Sequence, residues 1–157
     1  MDEIPAGDYE LRSLGGAKRY SVVGLSAEGA DVKGFTISLP AGASANVKLT
    51  LAAGIDIQGL TKKAGKPSAG AMVVLVPKGP EGNANRFRRD QSDLDGTFSL
   101  HNVPPGLYTL VAIEKGWDLD WSRPEVIAQY VKHGRPVAVS QSSKSMQVNE
   151  AIEVQPK

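Results

Sequence analysis

The residues best suited to chemistry in this chain stand in three short runs. Trp117-Asp118-Leu119-Asp120-Trp121 sets two indoles on either side of two carboxylates. Indole faces stack on sugar rings and carboxylates accept hydrogen bonds from hydroxyls, so the run could read a polysaccharide. The same two aromatics could instead seal a helix onto a sheet, because large aromatic side chains are mostly buried. Asp90, Asp93 and Asp95 precede Gly96, which gives the D-x-D-G end of a calcium loop. A complete loop of the helix–loop–helix kind needs D-x-[DN]-x-[DN]-G and a closing Glu at fixed spacing, and that spacing fails here. An Asp-Gly hairpin turn uses the same residues. Arg86, Arg88 and Arg89 flank Phe87 in a stretch rich in Gly, Pro and Asn. They could grip an anion or a partner protein, or stand in water as a charged loop.

No other grouping suggests a reaction. His101 and His133 are isolated and lack metal-ligand spacing. Ser26 lies in Gly24-Leu25-Ser26-Ala27-Glu28-Gly29, which is not the G-x-S-x-G turn of a hydrolase nucleophile. No G-x-x-x-x-G-K-[ST] phosphate loop is present. The sequence implies neither catalysis nor a cofactor.

The totals are those of an ordinary globular chain. Net charge is +1 over 157 residues, which gives no reason to expect nucleic acid as a partner. Cysteine is absent, so there is no disulfide framework and no thiolate metal site. No apolar run approaches the ~20 residues of a membrane helix, and direct membrane insertion by a helix is not expected. The opening residues, MDEIPAGDYE, do not read as a signal peptide and enter a turn at once, as though in mid-domain.

The elements that must position these runs are β in type. Residues 71–76 form an apolar, β-branched stretch stopped by Pro77. Asp95-Gly96 turns the chain into a strand with Phe98 and Leu100 on one face. Pro104-Pro105-Gly106 is a turn, and residues 108–113 read as a second buried strand. Phe98, Leu100, Tyr108, Leu110, Val74 and Val76 are the expected core. The Gly15-Gly16 turn, a strand over residues 20–25, and alternation at Phe35, Ile37 and Leu39 and at Val47, Leu49 and Leu51 come before them. The loop over residues 78–90 should be exposed and mobile. One helix is expected over residues 123–133. Ser122 and Glu125 make an S-x-x-E capping box, and Pro124 sits in the first turn. Val126, Ile127, Tyr130 and Val131 give a helical stripe, and Gly134 stops it. Val137 and Val139 return to strand period, and residues 146–154 are a last strand.

Residues 4–11, IPAGDYEL, match residues 103–110, VPPGLYTL, in type at nearly every position. About a hundred residues separate the copies, and the match extends from 35–39 to 135–139 and from 47–51 to 148–152. A repeat of this length is a domain. The division expected is residues 1–53, the later part of one β-sandwich module, and residues 54–157, a complete one.

The complete unit resembles the carboxypeptidase regulatory-like domains. The resemblance rests on G-K-P-x-A-G-A-x-V-x-L from Gly65, the D-G-x-F hairpin at Asp95 and P-P-G-x-Y-x-L from Pro104. It implies an all-β fold of Greek-key, transthyretin-like (prealbumin-like, Ig-like) sandwich modules in tandem, with one short helix in the second. It also implies a non-catalytic structural or interaction module of a larger exported bacterial protein, outside the cell, at its surface or in the periplasm. Partners would be neighbouring modules, a polysaccharide or another surface protein. A carbohydrate-binding module attached to an enzyme is the alternative, and exposed, coplanar Trp117 and Trp121 would favour it. The related collagen-adhesin B-type repeats form Lys–Asn isopeptide bonds beside an acid in Y-x-L-x-E. Here Ala112 takes the acid's place and Glu114 lies two residues further on, so no such bond is expected.

Overall fold

The computed structural model describes residues 4–11, 20–81 and 83–157. The Gly15-Gly16 turn lies outside the described residues, as does Gly82 of the 78–90 loop. The protein is an all-β sandwich fold with one α-helix among the described residues, and the described strands form three hydrogen-bonded sets. In the first, β1 (Gly7–Glu10) pairs with β4 (Thr36–Leu39), which pairs with β3 (Asp31–Lys33). In the second, β2 (Tyr20–Glu28) pairs antiparallel with β5 (Asn46–Ala53).

The third set holds every later strand. Its elements are β6 (Ile55–Lys63), β7 (Lys66–Pro67), β8 (Met72–Pro77), β9 (Arg88–Gln91), β10 (Thr97–Val103) and β11 (Gly106–Ile113). They are followed by β12 (Arg135–Val139), β13 (Ser145–Gln147) and β14 (Ile152–Gln155). The path runs β10-β6-β14-β11-β8-β9, with β12 beside β11 and both β7 and β13 beside β6. The expected last strand, residues 146–154, is therefore two. β13 lies parallel to β6, then β14 bridges β6 and β11, again in parallel.

The six residues of β8 are all buried, and strand alternation divides the first five between two cores. Val73 and Leu75 join Ile57, Phe98, Leu100, Tyr108 and Leu110 inside the sandwich. Met72, Val74 and Val76 join Val111, Ile113, Phe87, Ile127 and Tyr130 beneath the helix. The six expected core residues are all buried, Val74 and Val76 on the helix side. Each such aliphatic side chain contributes about 1.5–3 kcal/mol by leaving water. A strand covered on both faces must be apolar throughout, which is why 71–76 shows no polar alternation.

The helix, α1, is Pro124–Val131, shorter at both ends than expected. Its N-cap is Arg123, not Ser122, and no side chain caps it. Pro124 explains this. The residue before a proline is pushed to extended backbone, so Arg123 (φ −86°, ψ 124°) must be the boundary. Glu125 is thereby freed from a capping box and lies 2.8 Å from the Arg123 guanidinium. Gly134 comes after the helix end rather than forming it. A Cβ there would come within 2.4 Å of Thr109 and 2.7 Å of Val111, so glycine lets the chain cross β11 closely.

The 78–90 loop is also more ordered than its composition suggests. Residues 84–86 form a 3₁₀ turn, Phe87 is buried, and β9 begins at Arg88. β9 lies antiparallel on β8, with Arg89 opposite Val74 and Arg88 opposite Leu75.

One corner occurs twice. The Tyr108 hydroxyl donates to the Pro104 carbonyl at 2.7 Å, and the Tyr9 hydroxyl to the Pro5 carbonyl at 2.5 Å. Gly106 and Gly7 both have φ +157°, a value open to glycine. β11 meets β12 with Gly106 opposite Val139 and Tyr108 opposite Val137. β1 meets β4 with Gly7 opposite Leu39 and Tyr9 opposite Ile37.

Candidate functional site

Strand alternation in β9 sends Arg89 to the helix side, the side of Phe87 and Val74. Trp117 stands on a 3₁₀ turn, Gly116–Asp118, and Trp121 just before α1. These elements converge on the Arg89 guanidinium, which lies 5.3 Å from the Trp117 ring centre and 5.1 Å from that of Trp121. Phe87 meets the Trp121 ring edge-on at 6.1 Å and 63°. Both indoles therefore contact a cation of the same chain, each contact contributing roughly 0.5–1 kcal/mol at an exposed position. Trp121 also packs against the helix-side core, whereas Trp117 keeps 39% of its surface in water. The pair is thus neither fully open to solvent nor fully buried.

The two carboxylates between the indoles have cationic neighbours. Lys157 hydrogen-bonds to Asp118 and holds its carboxyl below the usual Asp range. Asp120 lies 3.7 Å from the Arg123 guanidinium. Thus the whole Trp117-to-Trp121 run is brought together, with its aromatic and acidic groups turned to Arg89, Lys157 and Arg123.

Of the three candidate calcium ligands, Asp90 and Asp95 use their carboxylates in separate local hydrogen bonds, and Asp93 shapes the hairpin through its backbone. Asp95 accepts hydrogen bonds from the Thr97 backbone N–H (3.0 Å) and hydroxyl (2.6 Å), which lower its pKa, the hydroxyl more. The Asp93 carbonyl accepts from the Gly96 N–H at 2.9 Å. The Asp90 carboxylate accepts from the Ser99 N–H at 2.7 Å. Among the described residues no three His, Cys, Asp or Glu side chains gather as a metal site would require.

Arg86 and Arg88 part company with Arg89. The Arg88 guanidinium donates twice to the Asn102 carbonyl (3.0 and 2.8 Å), once each to those of Asn85 and Phe87, and at 3.4 Å to the Ser21 hydroxyl of β2. Burial lowers its pKa below the ordinary arginine value. Arg86 hydrogen-bonds to the Pro105 carbonyl and lies 5.7 Å from the Tyr108 ring centre. Burial raises the Tyr108 pKa, the nearby arginines opposing it. These arginines hold the corner between β10 and β11 together. His101 Nδ1 lies 3.2 Å from Asp56, and the His133 N–H closes the end of α1 on the Tyr130 carbonyl.

Two concave surfaces were not anticipated. An apolar cleft of about 930 Å³ lies between α1, β11, β12 and the chain after Pro77. Ile127, Val131, Leu107 and Pro136 line it, and Leu107 is 56% exposed. Its one signal in the sequence is the α1 stripe, which is wider than the two residues, Ile127 and Tyr130, that α1 buries. A second apolar groove, about 460 Å³, lies among β1, β4 and β5.

No protein-family model matches this chain. No curated protein matches it. Among solved structures it is similar to BcpA*(D312A), the major pilin subunit of Bacillus cereus, with TM-score 0.41 and 11% identity over 88% of this chain and 56% of that one. It is similar also to the Bacillus anthracis TIE protein, with TM-score 0.39 and 15% identity over 87% of this chain and 24% of that one. The chain spans less than two thirds of either, and neither likeness is close enough to carry the role of this chain.

Proposed function

We propose that the chain is a pair of β-sandwich modules of one kind, residues 1–53 and 54–157, serving as a non-catalytic structural and interaction segment of a larger exported bacterial protein. The observation that carries this is the corner built twice. Tyr9 and Tyr108 each reach back to a proline carbonyl, each follows a glycine at the same φ, and each strand meets its neighbour in the same register. Sequences about a hundred residues apart have thus produced one local structure, which supports one module type used twice. The polar groups that might have done chemistry work instead as struts: Arg89 between two indoles, Arg88 across the β10–β11 corner, Asp95 in its hairpin. The setting, cell surface or periplasm, follows from the resemblance to carboxypeptidase regulatory-like domains.

The test is to express residues 54–157 alone. Trp117 and Trp121 both lie in this part, so tryptophan fluorescence reports its unfolding selectively. The reading expects a cooperative transition with a midpoint close to that of the full chain. A fragment that is unfolded in buffer would refute the division, and with it the tandem reading.

A further inference from the structure

The apolar groove in the first part of the chain has a counterpart that is filled. Its walls include Ile4, Tyr9, Leu11, Ile37, Leu39, Val47 and Leu49. By the sequence repeat, the first five correspond to Val103, Tyr108, Leu110, Val137 and Val139, and Val47 to Val148. All six counterparts lie buried in the sandwich core. The difference in exposure is large at the rim, where Ile4 is 67% exposed against 0% for Val103 and Val47 45% against 7% for Val148, while Ile37 at the floor is buried as Val137 is.

The sandwich shows what closes such a surface. β8 lies antiparallel on β11, with Pro77 opposite Tyr108, Leu75 opposite Leu110 and Val73 opposite Ala112. Val73 and Leu75 then lie beside those residues on the same face and close the flank of the core. Among the described residues β1, the counterpart of β11, is the outer strand of its sheet, and no strand stands where β8 would. Residues 1–3 and 12–19 read MDE and RSLGGAKR, without alternating apolar residues. β8 is buried in its own sandwich on both faces.

We propose that the groove receives an extended polypeptide strand from outside these 157 residues, laid antiparallel along the outer edge of β1 in the register that β8 takes on β11. The strand would present apolar side chains two positions apart, opposite Tyr9 and Leu11 as Pro77 and Leu75 stand opposite Tyr108 and Leu110. An added strand gains affinity from backbone hydrogen bonds and specificity from alternate side chains in the groove. It would also cover an edge and an apolar face that invite non-specific association. The inference rests on the tandem reading for its register, and on the open groove itself for the site.

The probe is a synthetic peptide copying residues 69–78, with lysines added at both ends for solubility. Backbone hydrogen exchange is followed in the full chain with and without about 1 mM peptide, enough to reveal weak binding. Amides of β1 that face away from β4, that of Asp8 among them, should exchange about tenfold more slowly or better with peptide, whereas that of Leu11, already bonded to the Phe35 carbonyl, should change little. Leu39→Lys should remove that protection while leaving the tryptophan-monitored unfolding midpoint unchanged. A peptide with Asp at the positions of Val73 and Leu75 should give none. Absence of protection by the parent peptide would overturn the proposal. So would a dimeric mass in light scattering with the outward-facing amides of β1 protected without peptide, since the occupant would then be a second copy. Failure of residues 54–157 to fold alone would instead remove the tandem reading, and protection by the peptide in the full chain would still establish the groove.

Discussion

Leu110→Ala tests the packing of the sandwich where it should be most sensitive. Leu110 has no solvent exposure and lies in β11, paired with Leu75 of β8 and Arg135 of β12. Alanine removes three carbons. At about 0.8 kcal/mol per buried methylene that is roughly 2.4 kcal/mol of transfer free energy. The cavity adds more, because strands paired on both sides cannot easily collapse inward, and the expected loss is about 2–5 kcal/mol. Leu11, its counterpart by the repeat, is only partly buried and lines an open groove, so Leu11→Ala should cost about 1 kcal/mol or less. Urea titration followed by tryptophan fluorescence reads the sandwich directly. With a slope of roughly 1–3 kcal/mol per molar, Leu110→Ala should lower the midpoint by about 1–3 M. Leu11→Ala should leave that midpoint nearly unmoved. A loss below about half a kcal/mol for Leu110→Ala, with unchanged slope, would refute the assignment of this residue to a tightly packed core.

Three further outcomes are expected. Trp117→Ala should leave the thermal midpoint nearly unchanged, because the ring is partly exposed and the Arg89 contact is small; if Trp117 serves a sugar, wild-type protein binds on a glycan array and the variant does not, and a wild type that binds no glycan removes the carbohydrate reading. Intact-mass spectrometry should give the full calculated mass, with Lys63 and Glu114 remaining an exposed ion pair at 2.7 Å; a mass short by one ammonia or one water would reveal a cross-link and refute this. Acid should weaken the fold: Lys63, Lys157 and Arg135 hydrogen-bond to Glu114, Asp118 and Glu150 and hold their carboxyls below the ordinary values of 4.5, 3.8 and 4.5. The unfolded chain then binds more protons, so stability is present above those ordinary values and is lost as pH falls through the lowered ones; a thermal midpoint that rises on acidification would contradict it.

Much of the architecture can be read from the sequence because it is encoded locally. A run such as Met72-Val73-Val74-Leu75-Val76 has no polar residue to put in water, so it must be a strand covered on both faces. Pro104, Gly106 and Tyr108 specify a corner at short range, and Ile4 to Leu11 specify it again. The α1 stripe marks a helix. Its start was misplaced because the S-x-x-E pattern competes with the constraint Pro124 sets on Arg123, and backbone sterics prevail over an optional hydrogen bond.

What the tertiary structure alone decided depends on residues far apart in the chain. Asp90 and Asp95 are near in sequence, but β9 and the hairpin give their carboxylates different backbone donors, Ser99 and Thr97. The 78–90 stretch has the composition of a loose loop, yet Phe87 finds the helix-side core and Arg88 finds the Asn102 carbonyl, contacts no local pattern can encode. Trp117 and Trp121 could have faced water, the core or each other. Their contact with Arg89 follows from the pairing of β9 with β8, which fixes the side on which residue 89 emerges. The alternation of Val47, Leu49 and Leu51 promises a buried face, but burial requires a covering strand. Whether one is present is a property of the assembled sheets, and here those side chains remain exposed.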